Sequence, residues 1–189
     1  MTLQVADTLE FLGIPHFVGG SVASGVYGIP RATRDSDLVA DFPLEKVGPF
    51  VSSLAKDFYV SADAMREAIR RRSSFNLIHL ENFLKVDIFI SKGDRFARSQ
   101  LDRRSRRILM IEPERSAFVA SPEDTVLSKL RWYGEGGSTS DQQWKDVLGV
   151  LKVQAEALDR AYLDRWAREL DLLDLLTRAL DDAGLPPMA

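Results

Sequence analysis

The sequence contains no cysteine, which excludes disulfide frameworks and thiolate metal sites. It has no apolar run near the roughly 18–20 residues that span a bilayer, so no membrane partner is expected. Its opening stretch, Met1 to Phe17, lacks a basic leader and carries Asp7 and Glu10, and does not read as a signal peptide. Internal repeats and low-complexity linkers are missing as well. Together these absences lead us to expect a cytoplasmic protein.

What is present is ordinary in amount and uneven in placement. The 189 residues, 45% hydrophobic and 28% charged, suit one domain or one domain with a helical extension. The net charge of −3 conceals an asymmetry. Between Lys92 and Arg107 seven basic residues stand against two acids, and from Glu156 to Asp182 eight acids stand against four arginines. A polyanionic partner would meet the first region and avoid the second. Either run could equally be a solvated face.

The apolar spacing predicts a helix over 3–12, ended by Gly13 and Pro15, then a short strand at His16-Phe17-Val18 running into Gly19-Gly20. A short helix from Ser21 to Tyr27 and a strand from Asp35 to Phe42 follow. Helices are predicted near 44–55 and 62–72, with a strand at Phe58–Val60 between them. Phe75–Leu80 and Leu84–Ile90 read as a hairpin. In its second arm Leu84, Val86, Ile88 and Ile90 share one parity, so Asp87 points away from the aliphatic face. Strands at Arg107–Ile111 and near Phe118 finish the sheet. From Ser121 onward the pattern is helical. Ser121 is an N-cap, Pro122 takes the first helical position, and Glu123 and Asp124 suit the first turn. Further helices are predicted over 140–153 and within 158–180. The fold class is α/β (α+β), a mixed sheet with flanking helices, divided as a core over 1–115 and a helical region over 116–189 packed on it.

The chemistry concentrates where Gly19-Gly20-Ser21 is followed, thirteen residues later, by Asp35-Ser36-Asp37. Two carboxylates two apart on a strand project to the same side. They repel unless a cation lies between them, and hard oxygen ligands suit magnesium. A third acid on a neighbouring strand would complete the site, and Asp87 is the candidate. Glycines let a helix start close to a triphosphate, where free backbone N–H groups and the Ser21 hydroxyl can bind phosphate oxygens.

This order of elements resembles the DNA polymerase β-like nucleotidyltransferase superfamily. The resemblance rests on Phe17-Val18-Gly19-Gly20-Ser21, Arg34-Asp35-Ser36-Asp37-Leu38 and Val86-Asp87-Ile88. It implies a nucleotidyltransferase fold, two Mg2+ ions on Asp35, Asp37 and Asp87, and transfer of a nucleoside monophosphate from an NTP to a hydroxyl acceptor. Arg31 through Leu38, with Lys85 before the third acid, is similar to small bacterial nucleotidyltransferases related to AbiE-type toxins. By that similarity Lys129 contacts NTP phosphates and Asp146 helps position the site or the acceptor. A toxin-like role, a tRNA or other nucleic-acid acceptor and a cognate antitoxin are the partners it implies.

Other readings stay open at this point. Lys129 could be a solvated lysine, and Asp146 could pair with Lys145, Lys152 or a neighbouring helix. Arg31 and Arg34 flank the acids, where one could neutralise phosphate or bridge to Asp41 or Glu45. Trp132, Trp144 and Trp166 fit a core better than base-stacking platforms, and His16 and His79 read as structural. The alternatives to a nucleic-acid enzyme are an NTP-binding module without catalysis and a small-molecule (antibiotic) nucleotidyltransferase.

Overall fold

The computed structural model describes residues 1–33 and 35–187. The elements begin with α1 (Thr2–Phe11), β1 (His16–Val18), α2 (Gly20–Tyr27), β2 (Ser36–Ala40), α3 (Val47–Leu54) and β3 (Phe58–Tyr59). Next come α4 (Ala62–Arg71), β4 (Ser74–His79), β5 (Lys85–Ile90), α5 (Arg95–Arg103), β6 (Ser105–Met110) and β7 (Arg115–Val119). The chain closes with α6 (Pro122–Glu135), α7 (Asp141–Gln154), α8 (Arg160–Glu169) and α9 (Leu173–Ala183). It parts into two compact units, one of Met1–Gly19 with Thr33–Ala120 and one of Gly20–Ala32 with Ser121–Ala189.

The first unit holds a mixed seven-stranded sheet in the order β3-β4-β5-β2-β1-β7-β6. β2 runs parallel to β5 and β1 parallel to β7, while the remaining neighbours are antiparallel. Strict alternation fixes this register, since a slip of one residue would turn each apolar set out of the core. In β5 Val86, Ile88 and Ile90 are buried, and in β2 Leu38 and Ala40 are fully buried or nearly so. Leu3, Val5, Ala6 and Leu9 of α1 are buried, as are Val47, Phe50 and Leu54 of α3. Phe42, Phe50 and Phe75 meet edge to face with ring centroids 5.1–6.5 Å apart, a geometry that contributes beyond area burial alone.

One helix was hidden in the basic run. Asp94 caps α5 by accepting from the Ala97 N–H at 2.7 Å, and Phe96, Ala97 and Leu101 are buried. Leu101 packs with Phe17 and Ala120, flanked by Val39 and Phe118. Nine charges in sixteen residues, seven of them basic, masked that narrow apolar stripe.

The second unit is helical. Ser121 accepts from the Asp124 N–H at 3.1 Å, and Pro122 opens α6 as its position predicts. Asp124, fully buried, does more than favour the helix dipole. Its carboxylate accepts from the Tyr162 hydroxyl at 2.7 Å and from the Ser121 hydroxyl at 2.9 Å. Glu123 accepts the Asp159 N–H at 2.9 Å, so two first-turn acids of α6 tie down the start of α8. Helix α2 packs on α6 and α7. A Cβ at Gly28 would stand 2.8 Å from the Val150 nitrogen and 2.9 Å from the Gly149 carbonyl carbon, so only glycine fits there. Leu163, Leu176 and Leu180 are fully buried, and Trp166 is nearly so. Trp144 lies between Tyr133, 4.9 Å away, and the Arg178 guanidinium, 4.6 Å from its ring. Trp132 is 54% exposed and stands apart from the core reading. Among the described residues no helix is long and apolar enough to cross a membrane.

Candidate active site

The acidic face of the first unit follows from strand pairing. Parallel register sets Asp37 of β2 directly beside Asp87 of β5, on strands about 4.8 Å apart. Both are half-buried, on the face opposite Leu38 and Ile88. Asp35 immediately precedes β2, is exposed, and has its carbonyl held by the Thr33 hydroxyl at 3.0 Å. The pKa of Asp87 is raised, first by burial and further by the charge of Asp35, with Lys85 acting in the opposite direction. The negative charge of Asp35 thus adds to the elevation at Asp87.

Residues around the acids are ordered by backbone contacts. The Gly19 N–H donates to the Asp37 carbonyl at 2.9 Å, which fastens the end of β1 to the acidic strand. The Ser36 hydroxyl points to the opposite face and meets the Thr2 hydroxyl at 2.6 Å. Asn76 pairs in register with Asp87 from the other side, which extends the row to Asn76–Asp87–Asp37. The sequence reading passed over Asn76, although the alternation Ser74, Asn76 against Phe75, Leu77 marks it as sharing the face of Asp87. Among the described residues no three His, Asp or Glu side chains already close around a metal-sized centre. The fit to a hard cation rests on the donor set, adjacent carboxylates on one face with an elevated proton affinity at the most buried.

A second polar cluster lies in the helical unit, where Asp146 is its hub. Asp146 Oδ1 accepts from Arg31 Nε at 3.1 Å and from Gln142 Nε2 at 2.9 Å. Its Oδ2 accepts from Lys129 Nζ at 2.8 Å and from a second Arg31 nitrogen at 3.1 Å. Lys129 Nζ also donates to Gln143 Oε1 at 3.1 Å. Burial would raise the Asp146 pKa, but the Arg31, Lys129 and Gln142 hydrogen bonds outweigh it and hold the carboxyl at about 2. The same contact raises the pKa of Arg31. Arg31 therefore bridges to Asp146 rather than to Asp41 or Glu45, and its guanidinium also donates to the Ser21 hydroxyl at 2.7 Å. Lys129 is buried with its ammonium satisfied, not spread in solvent. Gly20, the first residue of α2, has φ +54°, a left-handed conformation that favours glycine. Arg34 lies outside the described residues.

No protein-family model matches this chain, and no curated protein sequence does. Solved structures do. An antigenic nucleotidyltransferase-like protein from Paracoccidioides brasiliensis is 18% identical, with 96% of this chain and 89% of that one covered and a TM-score of 0.62. The antibiotic-resistance factor ANT(2'')-Ia in its solution structure is 13% identical, over 88% of this chain and 92% of that one, at a TM-score of 0.53. The crystal structure of ANT(2'')-Ia in complex with adenylyl-2''-tobramycin aligns over 87% of this chain and 95% of that one, at 12% identity and a TM-score of 0.52. At these identities the likeness shows the fold, which is that of the nucleotidyltransferases.

Proposed function

We propose that the chain is a metal-dependent nucleotidyltransferase that moves a nucleoside monophosphate from an NTP to a hydroxyl acceptor. The observation that carries this reading is the in-register pair Asp37–Asp87 on adjacent parallel strands, with Asp35 one residue before the first of them. Asp35, Asp37 and Asp87 are the residues that would hold divalent cations, two Mg2+ by the superfamily resemblance. Such ions, when bound, neutralise triphosphate charge.

The chain's own part is positioning and proton transfer. The acceptor oxygen bonds to the α-phosphorus, pyrophosphate leaves, and the hydroxyl proton passes to a carboxylate. Asp87 suits that last role because burial and Asp35 raise its proton affinity. By the superfamily resemblance Gly19, Gly20 and Ser21 would bind the triphosphate, and Arg34 is assigned to the same task by its motif. In our reading Lys129 and Asp146 set the placement of Arg31 and, through it, of the Ser21 hydroxyl.

A nucleic-acid acceptor such as tRNA is favoured by Arg106 and Arg107, exposed on the edge strand β6. The finer likeness to AbiE-type toxins rests on Arg31–Leu38 and Lys85, and includes a cognate antitoxin. Growth arrest on expression, relieved by Asp37→Asn, is its test. A small-molecule acceptor is a second reading, favoured by the adenylyl-tobramycin complex of a structural neighbour. Incubation with labelled NTPs, magnesium and either total tRNA or aminoglycosides tests both readings. Label should appear on one acceptor and vanish in Asp37→Asn. NTP binding with no transfer to any acceptor would identify a module without catalysis.

A further inference from the structure

The first unit contains a cavity of about 210 Å³ lined by Glu10, Ile14, Pro15, His16, Arg104 and Phe118 and by none of the three acids. His16 is only 2% exposed. Its Nδ1 lies 2.9 Å from the Ile14 carbonyl, and since a carbonyl can only accept, Nδ1 carries the proton. Burial, helped by the charges of Arg104 and Arg106, lowers the His16 pKa against the Ile14 hydrogen bond and the Glu10 charge, which raise it, so the neutral ring is favoured. Its Nε2 is therefore a bare lone pair, and among the described residues nothing donates to it. Arg104 presents the complement. Its buried Nε–H has no acceptor among the described residues, although another of its nitrogens donates to the Leu101 carbonyl. The guanidinium carbon sits 4.8 Å from the centre of the Phe118 ring.

A buried polar group without a partner destabilises the fold, and an acceptor and a donor of that kind are lodged in the walls of one cavity. Ordered water could fill some of this volume. The walls Ile14, Pro15 and Phe118, however, suit a flat apolar frame more than a water cluster. The Glu10 carboxylate is paired with Arg106, and the imidazole lone pair, an acceptor, gives a phosphate oxygen nothing to bind.

We propose that this cavity binds a nucleobase of the adenine type, with its amino N–H donating to His16 Nε2, a ring nitrogen accepting from Arg104 Nε, and its frame against the apolar walls Ile14 and Pro15. The base comes either from a free nucleoside or from an unpaired nucleotide of a strand. This inference goes beyond nucleotidyl transfer and does not depend on it.

The test uses the full chain with 15N-labelled histidine and no NTP or metal. Adenosine, purine riboside, a single-stranded adenylate octamer and an abasic octamer are titrated separately. Adenosine should move the His16 Nε2 resonance and leave Nδ1 nearly in place. Purine riboside, which lacks the amino donor, should bind about tenfold more weakly. His16→Asn keeps a donor for the Ile14 carbonyl while removing the outward acceptor, and should weaken adenosine binding by a similar factor. Arg104→Met is the second variant and should do the same from the opposite wall. Octamer binding tighter than adenosine, and absent for the abasic strand, assigns the source to a strand; the reverse order assigns it to a free nucleoside. An Nε2 resonance indifferent to adenosine overturns the proposal, as does equal binding by purine riboside or by both folded variants. Transfer activity, assayed separately, is untouched by either result.

Discussion

Two groups of carboxylates in this protein are handled in opposite ways. Asp146 is buried and given all the partners its oxygens need, so that its pKa falls to about 2. Asp37 and Asp87 sit side by side on one face with Asp35 just before β2, and the Asp87 pKa is raised by burial and by Asp35. The first arrangement is closed: its charge is answered by Arg31 and Lys129 within the helical unit. In the second, like charges stand close together, and at Asp87 the charge of Lys85 works against burial and Asp35. A fold has no use for clustered like charges. We read their retention as the mark of a cationic ligand, whereas the Asp146 cluster holds the structure in order.

Four experiments would break or sharpen that contrast. Asp37→Asn should reduce transfer by about a thousandfold or more, equivalent to ~4 kcal/mol of barrier, while circular dichroism and Tm stay at or above the parent's. Near-normal transfer would sink the proposed mechanism. Asp146→Ala should behave in the reverse sense, because it strands the buried Lys129 ammonium. Chemical denaturation should show a loss of about 3–5 kcal/mol, and an unchanged midpoint would mean that the cluster is not a structural hub.

A pH titration of stability gives the third. The folded pKa of Asp146 lies below its unfolded value, so its contribution is present above about pH 4 and drains away as pH falls toward 2. Roughly 2 kcal/mol should be lost across that window. In Asp146→Asn this acid-limb component should disappear from the denaturation profile. The smallest effect is expected for Asp35→Asn, which relieves repulsion in the absence of metal. Its stability should rise by up to about 1 kcal/mol, and added magnesium should raise its Tm less than it raises the parent's. A fall in stability would show that Asp35 already has a compensating partner.

Much of this was legible in the chain because it depends on local pattern. Alternation along Leu84–Ile90 set Asp87 off from the aliphatic parity, and the pairing with β2 follows that parity. Capping chemistry at Ser121 located the start of α6 to the residue. What escaped depends on partners far along the sequence. Arg31 reaches Asp146 across 115 positions, and no local rule distinguishes that partner from the nearer Asp41. Likewise Gly20–Ala32 belongs with the carboxyl-terminal helices, because the packing that claims it comes from residues more than a hundred positions later. Helix α5 was lost for a different reason. Its few apolar residues were outnumbered by arginines, and charge density drew attention from periodicity. Asn76 was missed because a single amide on a strand carries no signal until its neighbours across the sheet are known.

The close approach at Gly28 sets a mechanical datum for the helical unit. With bare backbone of α7 at 2.8–2.9 Å from where a Cβ would be, the spacing at that point is dictated by peptide atoms rather than by side-chain volume. That contact therefore also sets the place from which Arg31, three positions on, departs toward Asp146.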